Sequence, residues 1–422
     1  MEGELKKWVT GGIIDEGRAQ TIRDLYPIEA SHPWAVILFS GIGAVIVGLG
    51  IVLMFAYNWQ DMSKAAKLSV VFSSLLISHS VGIWLFLKSS RFAAVGESLT
   101  VLGSMLFGAG IWLIAQIYHI DEHYPTAFMF WGIGTLALAW AMPSIFQAIM
   151  AAILFTIWTG SEAVDFETAM HWSVPLMLPL WLLAYMRRSN ILLAVLIICT
   201  GFALGFVSSC PDDTAVFASL FGLTITYAAL GYITPHYGRF PESAKVFSFL
   251  GTAAYFVMLY ILTFFDVDIF RDVLHTGIYM LYWLVPGAAA IAGWGMIIRL
   301  RKTGRIDCPF DHFLIPLTLL IFYYQAVYLK LFDKWHLGAI LFNLVFLAHT
   351  ASMMARGCRD VKLLPTIIGS VMLAALAFAR YFDLFDNLAL RGIIFIIVGI
   401  ILFSQGFFYV RAKRMQDKEA VA

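Results

Sequence analysis

Long apolar runs alternate with short polar breaks along almost the whole chain. A helix needs about 20 apolar residues to cross the hydrocarbon core, with a range of roughly 17–25. Runs of this kind fall at 34–57, 65–87, 97–118, 125–141, 144–160, 171–186, 190–208, 213–234, 243–265, 274–299, 312–330, 335–355, 363–381 and 388–410. The pattern predicts an all-α, polytopic helical membrane protein with about fourteen transmembrane helices. The fourth to sixth runs are short, and only Met142, Pro143 and Ser144 separate the fourth from the fifth. Loss of two adjacent short spans would leave about twelve and move no later loop to the other side of the membrane. The first run starts near Trp34, is too long for the apolar part of a leader and has no cleavage site, so it reads as a first span.

Lysine and arginine in the loops set the orientation. With the N-terminus inside, three in every four of the 28 basic side chains fall in inner loops. The predicted topology is therefore N-in/C-in. Several of the outer loops carry acids and no bases, among them Asp121-Glu122, the stretch from Glu162 to Glu167, and Asp212-Asp213. Trp34, Trp59, Trp158, Trp172 and Trp335 sit at span ends, as interfacial aromatics do.

Composition agrees with lipid as the solvent. The chain has 422 residues, 61% hydrophobic and 13% charged, with a mean hydropathy of +0.82. Soluble domains carry about a quarter charged residues. A formal net charge of +1 gives no global field for nucleic acid. Four cysteines form no CxxC pair, and only Cys210 falls in an outer loop, so no disulfide framework is expected.

Three segments follow: residues 1–31, 32–411 and 412–422. The first is expected to be a cytoplasmic helical hairpin, the second the transmembrane domain and the third a cytoplasmic tail. In the hairpin, Leu5, Trp8 and Val9 form an apolar face, Gly11-Gly12 breaks it, and Ile13-Ile14 packs the turn. Asp15 caps a second helix that carries Ala19, Ile22 and Leu25 on one face. Such a piece lies on the lipid surface or serves self-association or docking of a cytoplasmic partner through residues 1–30.

Polar side chains within or beside hydrocarbon are costly and mark function. The outer ends of four spans carry most of them. Asn58, Trp59 and Asp61 end the first span. Gln116, Tyr118, His119, Asp121, Glu122 and His123 end the third. Arg380, Asp383, Asp386, Asn387 and Arg391 lie between the last two. If these ends meet, Asn58, Trp59, Asp61, Gln116, Tyr118, His119, Asp121, Arg380, Asp383 and Arg391 line an outward-facing cleft. On a continued helix His119 and His123 would share a face, although Pro125 disfavours helix just before it. No metal or cofactor is expected. His79, Gln147, Gln325, Asn343 and His349 lie within spans, where bonds between helices account for them. Gly96, Thr100, Ser104 and Gly108 form a small-residue face for close helix packing. Pro286 interrupts the tenth span, and Pro175 and Pro179 the sixth; a simple kink explains such prolines more economically than a substrate site.

Three stretches together resemble a known family. They are the hairpin from Leu5 to Tyr26, the first-span end GLGIVLMFAYNW from Gly48 to Trp59 followed by Lys67, and the third-span end LFGAGIWLIAQIYHI from Leu106 to Ile120. They resemble the predicted bacterial membrane-protein family called domain of unknown function 2157. The resemblance covers about residues 1–145; beyond it, only Arg380 to Asp383 and the hydropathy agree. It implies a multi-pass protein of the bacterial plasma (inner) membrane. It brings no activity and no catalytic residue; Asn58-Trp59 and Gln116 to Tyr118 match the family's pattern.

No Walker loop, GxSxG, HExxH or CxxC occurs. The function expected is that of a transporter or a carrier of lipid or envelope precursors, with a small-molecule or lipid substrate. The alternatives are an intramembrane enzyme acting on a lipid-linked substrate and a scaffold or sensor using the N-terminal hairpin.

Overall fold

The structure is a computed structural model that describes residues 8–25, 62–88, 92–120, 123–142, 144–210, 213–237, 239–264, 280–332, 335–383 and 388–419. The chain divides into two compact units, residues 1–73 and 74–422.

In the first unit the turn after Val9 closes on glycine. Gly12 has φ +67°, Gly12 N–H donates to Val9 O at 3.0 Å, and Ile13 N–H donates to Trp8 O at 2.9 Å. This paired arrangement ends helices at a left-handed glycine. Helix α1, Glu16–Leu25, then starts under an aspartate cap, with Arg18 N–H donating to Asp15 Oδ1 at 2.7 Å. Ala19 is buried, whereas Ile13 points outward and does not pack the turn.

The apolar runs become helices. They are α2 Lys64–Lys88, α3 Ala93–Tyr118, α4 Pro125–Ala141, α5 Ile145–Asp165, α6 Ser173–Leu176, α7 Leu178–Arg187, α8 Asn190–Ser209, α9 Asp213–Tyr237, α10 Ser243–Leu262, α11 Met280–Lys302, α12 Leu314–Phe332, α13 Trp335–Arg359, α14 Leu363–Asp383 and α15 Leu388–Glu419. Every run in the sequence except 34–57 coincides with a described helix; that run lies outside the described residues. Among the described residues, 9 helices are long and apolar enough to cross a membrane, and shorter apolar ones accompany them. Large apolar side chains such as Phe403 and Ile400 face outward, as lipid-solvated helices require.

Two packing regimes hold the bundle. Around α9, which lies against α10 and α11, aromatic side chains fill the interior, with Phe221, Tyr255, Trp294, Phe322, Phe342 and Phe346 buried together. Nearer the N-terminus, small residues let backbones approach. A β-carbon on Gly96 would come within 2.5 Å of Gly82 O, and one on Gly108 within 2.3 Å of the Trp131 ring. Trp131 lies across that gap and donates from Nε1 to Ser104 O at 2.7 Å. The small-residue face on α3 is thus buried along Gly96, Thr100, Ser104 and Gly108.

The prolines behave differently from each other. α11 runs continuously through Pro286, and neighbours satisfy nearby carbonyls: Thr226 Oγ1 donates to Pro286 O at 3.1 Å and Tyr323 OH to Trp283 O at 2.9 Å. The sixth span is broken at Met177 between α6 and α7, and Met177 is fully buried in the core.

Candidate functional site

The sequence places its candidate cleft at four span ends, and only part of it falls on described side chains. Asn58, Trp59, Asp61, Asp121, Glu122, Asp386 and Asn387 lie outside the described residues. Arg380 and Asp383 end α14, and Arg391 lies in the first turn of α15; their side chains are outside the described set. Gln116 and Tyr118 occupy the last turn of α3, both exposed. His119 caps that helix in the left-handed conformation, φ 54°, and Ile120 N–H returns to Ala115 O at 2.9 Å. The helix therefore stops at His119, and His119 and His123 do not share a helix face. No group of three or more metal-ligating side chains occurs among the described residues.

His123 turns instead to a carboxylate 39 positions later, and a different site emerges. Helix α5 continues to Asp165, so Glu162 belongs to its last turn and not to a loop. Ser144 starts this helix by accepting from Gln147 N–H, and the alanine face of Ala148, Ala151 and Ala152 seats it in the core. The same face carries Trp158 and Glu162 inward, one turn apart. Trp158 is buried, which corrects its assignment as an interfacial aromatic, whereas Trp172 is exposed as expected. Glu162 is 1% exposed. Its Oε1 accepts from Trp158 Nε1 at 3.1 Å, and its Oε2 lies 2.7 Å from His123 Nε2. The histidine side chain is 42% exposed, so it joins the buried acid to the surrounding medium.

A second pair stands beside the first. Tyr124 OH donates to Asp165 Oδ2, and the Phe166 ring lies 4.2 Å from the His123 ring and 5.8 Å from the Tyr124 ring, centroid to centroid. The hydrogen bond to Asp165 raises the Tyr124 phenol above its ordinary value of 10.0. Glu167 follows at φ 51°, and Thr168 N–H bonds back to Glu162 O at 2.9 Å, which folds the 166–172 segment over the end of α5. From that segment His171 bonds Tyr282 OH at the start of α11, the two rings stacked with centroids 5.6 Å apart. At the end of α8, burial and then the Glu167 carboxylate push the Cys210 thiol up. None of the four cysteines forms a disulfide. Side chains from five segments thus meet at the bundle end that the loop charges assign to the outside.

In the sequence His123, Trp158, Glu162 and Glu167 stand out only as loop or span-end residues, and Tyr124, His171 and Tyr282 do not stand out at all. The available signal was Trp158 and Glu162 four apart with Asp165 three further on, which lie along one helical stripe if the helix is extended by a turn. Their partnership with His123 depends on how α3, α4 and α5 pack.

Among the deeper polar groups of the described residues, His349 and Asn343 are paired as expected and Gln147 is not. Tyr255 OH lies 2.9 Å from His349 Nε2, and Thr318 Oγ1 donates to Tyr255 OH at 3.2 Å. Asn343 Nδ2 donates to Thr263 O at 2.9 Å. Gln147 is fully buried with neither amide atom hydrogen-bonded among the described residues.

By fold the chain is a multi-pass helical membrane protein. Residues 6–147 match the family model described as "Predicted membrane protein (DUF2157)", covering the hairpin and the helices through α4 that carry the resemblance seen in the sequence. No curated protein and no solved structure matches the chain.

Proposed function

We propose that the chain is a carrier in the bacterial plasma membrane, N-in/C-in, that takes a polar or lipid-linked solute at an outward-facing site anchored on Glu162. The observation that carries this is the buried Glu162 carboxylate held by Trp158 and by the half-exposed His123. A carboxylate at the edge of hydrocarbon is expensive, and one that keeps a path to water through a histidine marks a solute or proton route. His119, Gln116 and Tyr118 stand exposed at the end of the adjoining α3 and belong to the same approach. Asn58, Trp59, Asp61, Asp121, Arg380, Asp383 and Arg391 remain proposed members of the cleft.

The test uses full-length protein in proteoliposomes containing labelled polar solutes and fluorescent lipids. Exchange across the bilayer is followed for the wild type and for Glu162→Gln. The expected result is exchange of one class of compound that the variant slows about ten-fold or more, the scale of losing a hydrogen bond to a charged group. Equal leak through empty vesicles, wild type and variant for every class overturns the carrier reading.

One observation favours a second reading. Two acid–base pairs, His123–Glu162 and Tyr124–Asp165, stand side by side against Phe166. An intramembrane enzyme acting on a lipid-linked substrate would use such pairs for proton transfer. Product analysis separates the two readings, because an enzyme leaves cleaved or transferred lipid and a carrier leaves its cargo intact.

A further inference from the structure

At the opposite end of the bundle from Glu162, a groove of about 600 Å³ opens beside the C-terminal end of α11. Its polar wall holds Arg299, Thr303 and Arg305, with Tyr237 from the end of α9; its apolar wall holds Gly295 and Met296. The backbone fixes the two arginines together. α11 ends in a left-handed glycine, Gly304 at φ +68°, with Gly304 N–H donating to Arg301 O and Arg305 N–H to Leu300 O, each at 3.0 Å. This paired closure reverses the chain, so Arg305 comes back over the last turn that carries Arg299. Neither arginine makes a salt bridge to a carboxylate among the described residues, whereas neighbouring Arg301 is engaged over the Phe313 ring at 5.1 Å. Below the arginines the groove is open: a β-carbon built on Gly295 would meet nothing within 4 Å.

We infer that this groove binds the phosphate of an anionic phospholipid, with Arg299 and Arg305 on the headgroup and one acyl chain along Gly295 and Met296. Arginine presents a planar set of donors matched to phosphate oxygens. Basic recesses between helices on the cytoplasmic side take anionic headgroups, and the loop-charge orientation puts this one in that leaflet. The volume suits a headgroup with the first part of a chain. The apolar wall selects a lipid over free phosphate. The inference rests on the N-in/C-in orientation but not on the carrier activity or on Glu162.

The experiment is native mass spectrometry of the purified full-length protein with dioleoylphosphatidylglycerol, with dioleoylphosphatidylcholine, and with inorganic phosphate. Four proteins are compared: wild type, R299Q/R305Q, R299K/R305K and Gly295→Phe. A fifth, R411Q/R414Q, removes two charges from a separate basic groove on α15 lined by Phe407, Val410 and Met415. The expected result is retention of phosphatidylglycerol over phosphatidylcholine by the wild type, lowered about thirty-fold in R299Q/R305Q, at roughly 1 kcal/mol for each of the two basic residues near a headgroup. R299K/R305K, which keeps both charges without the planar donors, should bind more than R299Q/R305Q and less than the wild type, and R411Q/R414Q should keep all of the binding. Gly295→Phe should fill the groove and expel the lipid while remaining folded, because the position is an open helix interior where glycine is the less stable choice. Equal retention by wild type and R299Q/R305Q overturns the inference. So does Gly295→Phe that binds lipid normally, and so does arginine-dependent binding of inorganic phosphate without preference for phosphatidylglycerol, which would assign the groove to free phosphate.

Discussion

Two histidines mark the difference between the two polar regions of this bundle. His123 sits at a span end, its side chain 42% exposed, against the buried Glu162. His349 sits deep inside, 3% exposed, against Tyr255, which in turn accepts from Thr318. Each satisfies a hydrogen bond, so bonding alone does not separate them. Access does. The first pair reaches the medium through the half-exposed His123, and the second is closed by Phe221 and Phe256 against Tyr255 and His349, with Phe322 packed against Phe221. A buried polar group paired only within the protein fixes how helices pack; one paired through an exposed partner is available for chemistry.

The largest expected difference is all-or-none. In a background lacking the four native cysteines, His123→Cys should react with a membrane-impermeant maleimide added from outside, and His349→Cys should not react until the protein is unfolded. Equal labelling would erase the contrast. Next comes stability. His349→Leu leaves the Tyr255 and Thr318 hydroxyls in a closed apolar setting and should cost about 2 kcal/mol of unfolding free energy in lipid. A loss below about 0.5 kcal/mol would mean that the triad does not hold α10, α12 and α13 together. At the outer site, Glu162→Ala strands the buried Trp158 N–H and should cost about 1.5 kcal/mol, against about 0.5 kcal/mol for Glu162→Gln, which keeps the shape and an acceptor. Equal losses would show that the acid contributes charge and not hydrogen bonding. The smallest effect belongs to Tyr124. Its neutral phenol donates to Asp165, so this bond contributes fully below pH about 10 and is lost as pH rises through the higher folded-state value. Phenolate absorbance of wild type minus Tyr124→Phe should show one tyrosine ionising above 10.0; ionisation at or below it would remove the bond from solution.

Most of the fold was legible in the sequence because lipid leaves the backbone few choices. A run of about 20 apolar residues can satisfy its peptide groups in hydrocarbon only as a helix. The runs from 65–87 to 388–410 therefore read as α2 to α15, with run 171–186 divided into the two helices α6 and α7. The aspartate cap at Asp15 and the small-residue face on α3 were equally readable, since each is a local pattern. Helix ends were less so. α5 continues past the apolar run to Asp165, and this extra turn takes Glu162 from a solvated loop into the core. The extension follows from the alanine and tryptophan contacts of that face, which hydropathy does not record.

The two polar regions divide along the same line. Residue order was enough to make the chain a helical bundle solvated by lipid, to place its apolar runs and to leave its loop charges asymmetric, because these depend on transfer free energies that each segment carries alone. Tertiary structure alone decided that His123 meets Glu162, that His171 meets Tyr282, that His349 is sealed behind Tyr255, and that Arg299 and Arg305 share an open groove. Each of these pairs, apart from the two arginines, joins side chains on different helices or loops far apart in the chain. Their meeting depends on how neighbouring helices interlock, a property of surfaces in contact and not of any one segment's hydropathy.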